Sequence, residues 1–251
     1  MAVAKSTEPT NKAEFLQRVR EALGRKEPLL YPPNYPPLKS ATIRQEEKIQ
    51  TVLARNAARR PRLLERLAEN AGAAGWNVHR VWNPEDTAQT VADIAKKAGA
   101  KNVVRSSEDV FKPMDLDGAL RRARIKPIVL ASSRSRPRAD LTGIAFDADM
   151  GVTGVSYAIA ETASCVITPR RGLARITSLA PPVYVAVVRA EQVIESLDDY
   201  FALVRLQYQR TRGRGVNYAN FISGPSRTAD IEQTLTIGVH GPGEVHLVLV
   251  S

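Results

Sequence analysis

The chain has 251 residues, 43% hydrophobic and 25% charged, the balance of a folded globular protein with room for one large domain or two small ones. No apolar run approaches the roughly 20 residues that span a bilayer, and MAVAKSTEPTNKAEF at the start has no signal-peptide core, so a cytoplasmic location is expected. A single cysteine, Cys165, and three histidines, His79, His240 and His246, exclude an internal disulfide and any CxxC or HExxH site. Neither an iron–sulfur cluster nor a structural zinc is expected in this chain.

The net charge is +10. Arg121, Arg122, Arg124, Lys126, Arg134, Arg136 and Arg138 follow one another with no acid between, and so do Arg205, Arg210, Arg212, Arg214 and Arg227. Such clusters are either solvated loops or a surface for acidic partners or nucleic acid. Aromatic residues do not interleave with them as a base-stacking platform requires, which weighs against nucleic acid.

In chain order, Asn11–Leu23 reads as an amphipathic helix with Phe15, Leu16, Val19 and Leu23 on one face, ended by Gly24. PLLYPPNYPPL, Pro28–Leu38, is too proline-rich for helix or strand and reads as a linker or a wrapping arm. Thr42–Ala71 is helical, with a break near Pro61. WNVHRVW is a strand. Asn83-Pro84 is an N-cap followed by proline at the first helical position, and Gly99 closes that helix. KNVVRS and PIVLAS are further strands. ASCVITP and VYVAVV are short apolar, β-branched runs of the kind buried in a parallel sheet. Glu191–Gln207 reads as a helix with Val193, Ile194, Leu197, Phe201 and Val204 facing the core. YANFISG reads as a strand, a short helix is expected after Arg227, and EVHLVLV ends the chain as a strand. Strands alternating with helices predict an α/β domain with a mostly parallel sheet covered on both faces. The division is a helical, proline-rich extension over 1–75 and an α/β domain over 76–251.

Two stretches carry candidate chemistry. Ser223-Gly224-Pro225-Ser226 links a predicted strand to a predicted helix, where unpaired N–H groups attract anions. There Ser226, Thr228 and the Arg227 fork bind phosphate or carboxylate, or Ser226 and Thr228 merely cap the helix. In FDADMGVTGVSYAIAETASCVITP, Asp147 and Asp149 share a face if they lie on a strand. Gly151 and Gly154 permit close approach of backbone. Glu161-Thr162 sits among small apolar residues, so Glu161 lines a pocket or pins a neighbouring loop. Arg175 reads as a surface residue or one that faces the same pocket, His240 as a turn residue or a base, and Cys165 as a small core residue.

Taken together, four segments resemble the LUD-domain family, and within it the C-type lactate-utilisation (LutC/YkgG-like) branch. They are Asp149–Thr162, Ser178-Leu-Ala-Pro-Pro-Val with VYVAVV, Ser223–Glu232, and Gly238-Val-His-Gly-Pro-Gly-Glu-Val-His. The resemblance covers the chain from about Trp76 onward. It implies a three-layer α/β/α sandwich similar to the NagB/RpiA/CoA-transferase group and to 5-formyltetrahydrofolate cyclo-ligase. It also implies a part in oxidising L-lactate to pyruvate beside LutA- and LutB-like subunits that carry iron–sulfur clusters, with no cofactor in this chain. On that reading Glu161 positions or deprotonates a hydroxyl. Asp149, Thr153, Gly154, Thr162, Ser223, Gly224, Ser226, Arg227 and Thr228 then line a site for a small anion. The rival readings are a free-standing cyclo-ligase- or transferase-like enzyme acting on a nucleotide or acyl-CoA, a pure assembly protein, and a nucleic-acid binder.

Overall fold

The computed structural model describes residues 12–24, 43–131, 138–169, 172–211, 218–229 and 235–251. The proline-rich arm, Arg134, Arg136, Arg170, Arg171, Arg212 and Arg214 lie outside them. The chain divides into two compact units, 1–40 and 41–251. The first contributes helix α1 (Lys12–Ala22).

The second unit begins with α2 (Ile43–Ala58) and α3 (Arg60–Ala74). Pro61, in the first turn of α3, lacks the N–H that would continue α2, and the helical run breaks there. Gly75 ends α3 with φ +97, a conformation that suits glycine. Then follow β1 (Asn77–Val81), α4 (Pro84–Lys97), β2 (Asn102–Arg105), α5 (Leu116–Arg122), β3 (Lys126–Val129), α6 (Arg138–Phe146) and β4 (Met150–Gly154). After these come β5 (Tyr157–Ile159), β6 (Ser164–Ile167), β7 (Val183–Arg189), β8 (Val193–Ile194), α7 (Leu197–Arg210), β9 (Asn220–Ile222), β10 (Arg227–Ala229), β11 (Leu235–Ile237) and β12 (Glu244–Val250). Asn83 caps α4 as expected, its side chain accepting the Asp86 N–H at 2.7 Å.

Six strands form one parallel sheet in the order β1-β12-β7-β4-β2-β3. Strand β7 shows how its two faces are used. Val183, Val185 and Val187 point toward Val91 and Ala95 of α4 and Leu116 and Leu120 of α5. Tyr184, Ala186 and Val188 point the other way, onto Leu63, Leu67 and Ala71 of α3 and Cys165 and Ile167 of β6. Helix α6 adds Leu141 and Ala145 over Val104 and Leu130. The result is the expected α/β sandwich with a mainly parallel sheet. No helix among the described residues is long and apolar enough to cross a membrane.

The structure corrects three readings. A second sheet, β8-β5-β6-β9, shares the α3 face, and α7 closes it by seating Tyr200 against Ile159, Val166 and Ile194. The helix predicted from Glu191 starts at Leu197, because Val193 and Ile194 pair with β5 and the Ser196 hydroxyl caps the Asp199 N–H. With that start Tyr200 takes the core position, and Phe201, predicted inside, is 57% exposed. Lastly, Arg227–Ala229 is a strand paired antiparallel with β11 rather than a helix start. The Ser226 N–H donates to the Pro242 carbonyl at 2.8 Å and the Gly238 N–H to the Ser226 carbonyl at 2.9 Å. Pairing across the hairpin thus replaces the open helix end on which the anion reading relied.

A histidine pair bridges β1 and β12. His79 Nε2 lies 3.0 Å from His246 Nδ1, and His246 Nε2 lies 2.9 Å from a Glu244 carboxylate oxygen. Since a carboxylate accepts, His246 Nε2 carries the proton, its Nδ1 accepts, and His79 Nε2 donates. Burial is the main force holding both imidazoles below their ordinary value. His246 and Lys97 add to it at His79; at His246, Glu244 opposes it and Lys97 reinforces it. The unfolded chain therefore binds protons more readily than the folded one. The contribution of the neutral pair is complete above the ordinary imidazole value of about 6.5 and is lost as pH falls below it. The melting temperature is expected to drop on acidification from neutral toward pH ~5. The drop should be shallower in His79→Gln; an unchanged slope in that variant counts against the pair as its source.

Candidate functional site

The route of the chain through the sheet locates a crevice. From β2 the chain steps outward to β3, whereas from β4 it steps to β7 and then β12 on the other side. The connections diverge between β2 and β4, which are neighbours. In open α/β sheets ligands bind outside the carboxyl ends of strands at such a divergence.

A cavity of about 250 Å³ lies there, lined by Ser107, Glu108 and Asp109 after β2, Gly154 at the end of β4, Arg189 at the end of β7, and Gln192. Glu108 is only 9% exposed. Its Oε2 accepts the Gly154 N–H at 2.8 Å and the Ser106 hydroxyl at 2.7 Å. Gly154 is required by this approach: a Cβ there would lie 2.8 Å from Val110 Cγ1 and 3.1 Å from Glu108 Oε2. The Gln192 amide ties the rim together, its oxygen accepting the Arg189 N–H and its nitrogen donating to the Val155 carbonyl. The Ser107 N–H donates to Gly172 O at 2.8 Å, fixing the facing loop.

Below the crevice, Arg105 grips Asp117 through two bonds of 2.6 and 2.8 Å and donates to the Ser106 carbonyl at 3.0 Å. Those bonds from Arg105 hold the Asp117 carboxyl below the usual range. They also set the turn that presents Ser106 and Glu108. Thr153, one residue before Gly154, points to the opposite face and shares a 2.8 Å hydrogen bond with the buried Tyr184 hydroxyl. Burial pushes that phenol well above its ordinary value. Glu108, Asp109 and Arg189 thus line one small polar cavity.

The residues singled out in the sequence fall in several places. Gly154 lines the crevice and Thr153 lies beneath its wall. Asp149 is at the amino end of β4, where its carboxylate accepts the Lys101 and Asn102 N–H groups at 2.8 Å each. Asp147 follows α6 and is exposed, so the two aspartates do not share a strand face. Among the described residues no group of three or more His, Cys, Asp or Glu is placed to hold a metal ion. Glu161 is exposed and accepts the Leu197 N–H at 3.3 Å, pinning the start of α7. Thr162 and Ser223 are joined through Ser164, with hydroxyl separations of 2.8 and 2.7 Å. Gly224 and Arg227 sit on the end of α3, and Arg227 donates to the Ala74 carbonyl at 3.3 Å. The Ser226 hydroxyl accepts the His240 N–H at 3.3 Å, and Thr228 pairs with Thr236 in the hairpin. These groups do not converge on one cavity.

A second cavity, about 520 Å³, opens at the amino ends of β4, β7 and β12, lined by Phe146, Arg175, Leu179, Val239 and His240 among others. Arg175 also stacks over Tyr218, 4.8 Å from the ring centre. This cavity lies at the opposite end of the sheet from the divergence. Sequence reasoning passed over Ser107, Glu108, Arg189 and Gln192. The signal available for Glu108 was its place just after the strand KNVVRS; what made it a pocket residue was the pairing of β2 with β4.

Fold and crevice together define a three-layer α/β protein with a polar cavity at the divergence point of a parallel sheet. The chain belongs to the LUD domain family, whose model matches residues 64–250. It is 29% identical to lactate utilization protein C of Halalkalibacterium halodurans over 65% of this chain and 68% of that protein. It is 37% identical to the protein of the same name from Exiguobacterium sp. over 43% and 46%. Lactate utilization protein B of Bacillus licheniformis is 24% identical over 75% of this chain and 48% of its own length. The alignments thus span from under half to about two thirds of these relatives. A DUF162 family crystal structure from Deinococcus radiodurans shares the fold, with a TM-score of 0.53 at 18% identity, covering 76% of this chain and 98% of that one. The family resemblance read from the four segments is borne out.

Proposed function

We propose that this chain serves lactate utilisation as a ligand-binding component beside iron–sulfur subunits that carry the electrons, and that its ligand, a small anion, sits in the crevice between β2 and β4. The observation that supports this most is the polar crevice with its buried Glu108, set in a LUD fold whose relatives are named for lactate utilization. The single cysteine is consistent with a division of labour. Cys165 packs in the core, and burial pushes its thiol far up, away from the thiolate that binds metals. Electron transfer then falls to partner subunits, while this chain holds and orients a ligand.

The test is lactate-dependent reduction of an electron-accepting dye in host extracts, with and without this chain, and with the chain restored. Loss on removal and recovery on restoration are expected. Undiminished activity without the chain overturns the proposal.

A further inference from the structure

We infer that the larger cavity, at the amino ends of β4, β7 and β12, is a second binding site, and that its ligand is an amphipathic anion: an acyl or aryl body carrying one carboxylate. It lies at the other end of the sheet from the crevice and does not depend on it. Its volume of about 520 Å³ falls among small-molecule sites, roughly 300–1,000 Å³, which are mostly apolar with a few placed polar groups. Phe146 at the end of α6, Leu179 and Pro182 before β7, and Val239 before β12 converge on it. Phe146 and Val239 keep 67% and 55% of their surface exposed. Single exposed apolar side chains are ordinary, but a set gathered from three segments around one hollow marks a surface that something covers.

Charge selects the occupant. Arg175 and His240 stand on the rim, and none of the described residues lining the cavity is acidic. Arg175 is held in place. Its guanidinium stacks 4.8 Å from the centre of the Tyr218 ring, and its carbonyl accepts the Ser178 hydroxyl at 2.9 Å. Stacking engages the face of a guanidinium, while its N–H donors radiate in the plane, where a carboxylate meets them edge-on. The facing loop is set as well. Gly238 turns at φ +84 and donates to the Ser226 carbonyl, and the His240 N–H donates to the Ser226 hydroxyl. The rim is thus formed before a ligand arrives, which lowers the ordering cost of binding. A second copy docked by two-fold symmetry would set the same cationic patch against itself, with no acid to answer it. An apolar anion suits both the floor and the rim.

The experiment is calorimetric titration of the purified full chain with octanoate and with 2-naphthoate, which separate acyl from aryl ligands. Each is set beside a smaller anion, hexanoate or benzoate, and a neutral analogue, octan-1-ol or 2-naphthol. At least one of the two anions is expected to bind. Its smaller analogue should bind about tenfold more weakly, since each buried methylene is worth roughly fourfold in affinity. Its neutral analogue should also lose about tenfold, the worth of a hydrogen bond to a charged group. Arg175→Gln should erase the preference for the anion over the neutral analogue. Val239→Asp, which sets a negative charge on the rim, should abolish anion binding. Both side chains are exposed, so neither change should move the urea midpoint, and a loss of binding then reports the site rather than the fold. An unchanged preference in Arg175→Gln, or unchanged binding in Val239→Asp, overturns the inference. Failure of both anions to bind overturns it too; self-association of the chain that Val239→Asp disperses would then give the cavity to a second copy. None of these outcomes bears on the role proposed for the crevice.

Discussion

Gly151→Ala is expected to destabilise the protein by about 3 kcal/mol or more, at the upper end of overpacking costs, out of a total that is typically about 5–15 kcal/mol. Gly151 lies in the middle of β4, paired with Val104 on one side and Tyr184 on the other. An added Cβ would run into the backbone carbonyl of Thr177 and lie 3.1 Å from Pro181 Cγ. Neither side can yield easily. The strand is fixed by two neighbours, and Thr177 is buried in the turn that precedes Pro181-Pro182 and β7. The segment Ser178–Val183, one of those that carried the family resemblance, is thus seated against a glycine that carries it too. Gly72→Ala is the matched control. Gly72 is inside α3 with nothing within 4 Å of an added Cβ, so alanine there should stabilise by about 0.5–1 kcal/mol. Urea unfolding of both variants decides the matter: a loss under about 1 kcal/mol in Gly151→Ala would mean the turn lifts away at little cost.

The fold was legible wherever the signal is local. β-branched runs such as VYVAVV and EVHLVLV are buried on both faces, and a continuous apolar run is what that burial requires. Asn83-Pro84 announced a helix because its geometry is set within three residues. The candidate site was less legible, for two reasons. Strand order is non-local: nothing near Glu108 in sequence says that β2 lies beside β4, so the crevice appears only once the sheet is assembled. And a polar turn has more than one use. Ser226-Arg227-Thr228 has the composition of a helix start, yet the same N–H and hydroxyl groups are satisfied by Pro242, His240 and β11. Glu161 shows the converse. Its small apolar neighbours Ala160 and Ala163 are buried, but the turn after β5 carries its own side chain outward, where it pins α7 instead of facing a cavity.

Leu67→Ala is expected to cost about 2–5 kcal/mol, the range for emptying a fully enclosed leucine site. The reason lies in what α3 does. The sequence places it in the extension ending at residue 75, yet Leu63, Leu67 and Ala71, spaced four apart, form a stripe buried with Trp76, Tyr184 and Leu247. Polar ties reinforce the seat. Asn70 donates to the Ala160 carbonyl at 2.7 Å, and Arg227 donates to the Ala74 carbonyl at the far end of the helix. Removing α3 would uncover one apolar face of the central sheet over β7 and β12. A chain that begins at Trp76 is therefore expected to aggregate or to lose cooperative unfolding, although it retains every strand of the parallel sheet. The substitution and the truncation test the same claim by different routes. If Leu67→Ala shifts the urea midpoint by less than the equivalent of about 1 kcal/mol and the truncated chain unfolds cooperatively, α3 is a detachable cover. A large loss in the one and failure to fold in the other make it a wall of the LUD core.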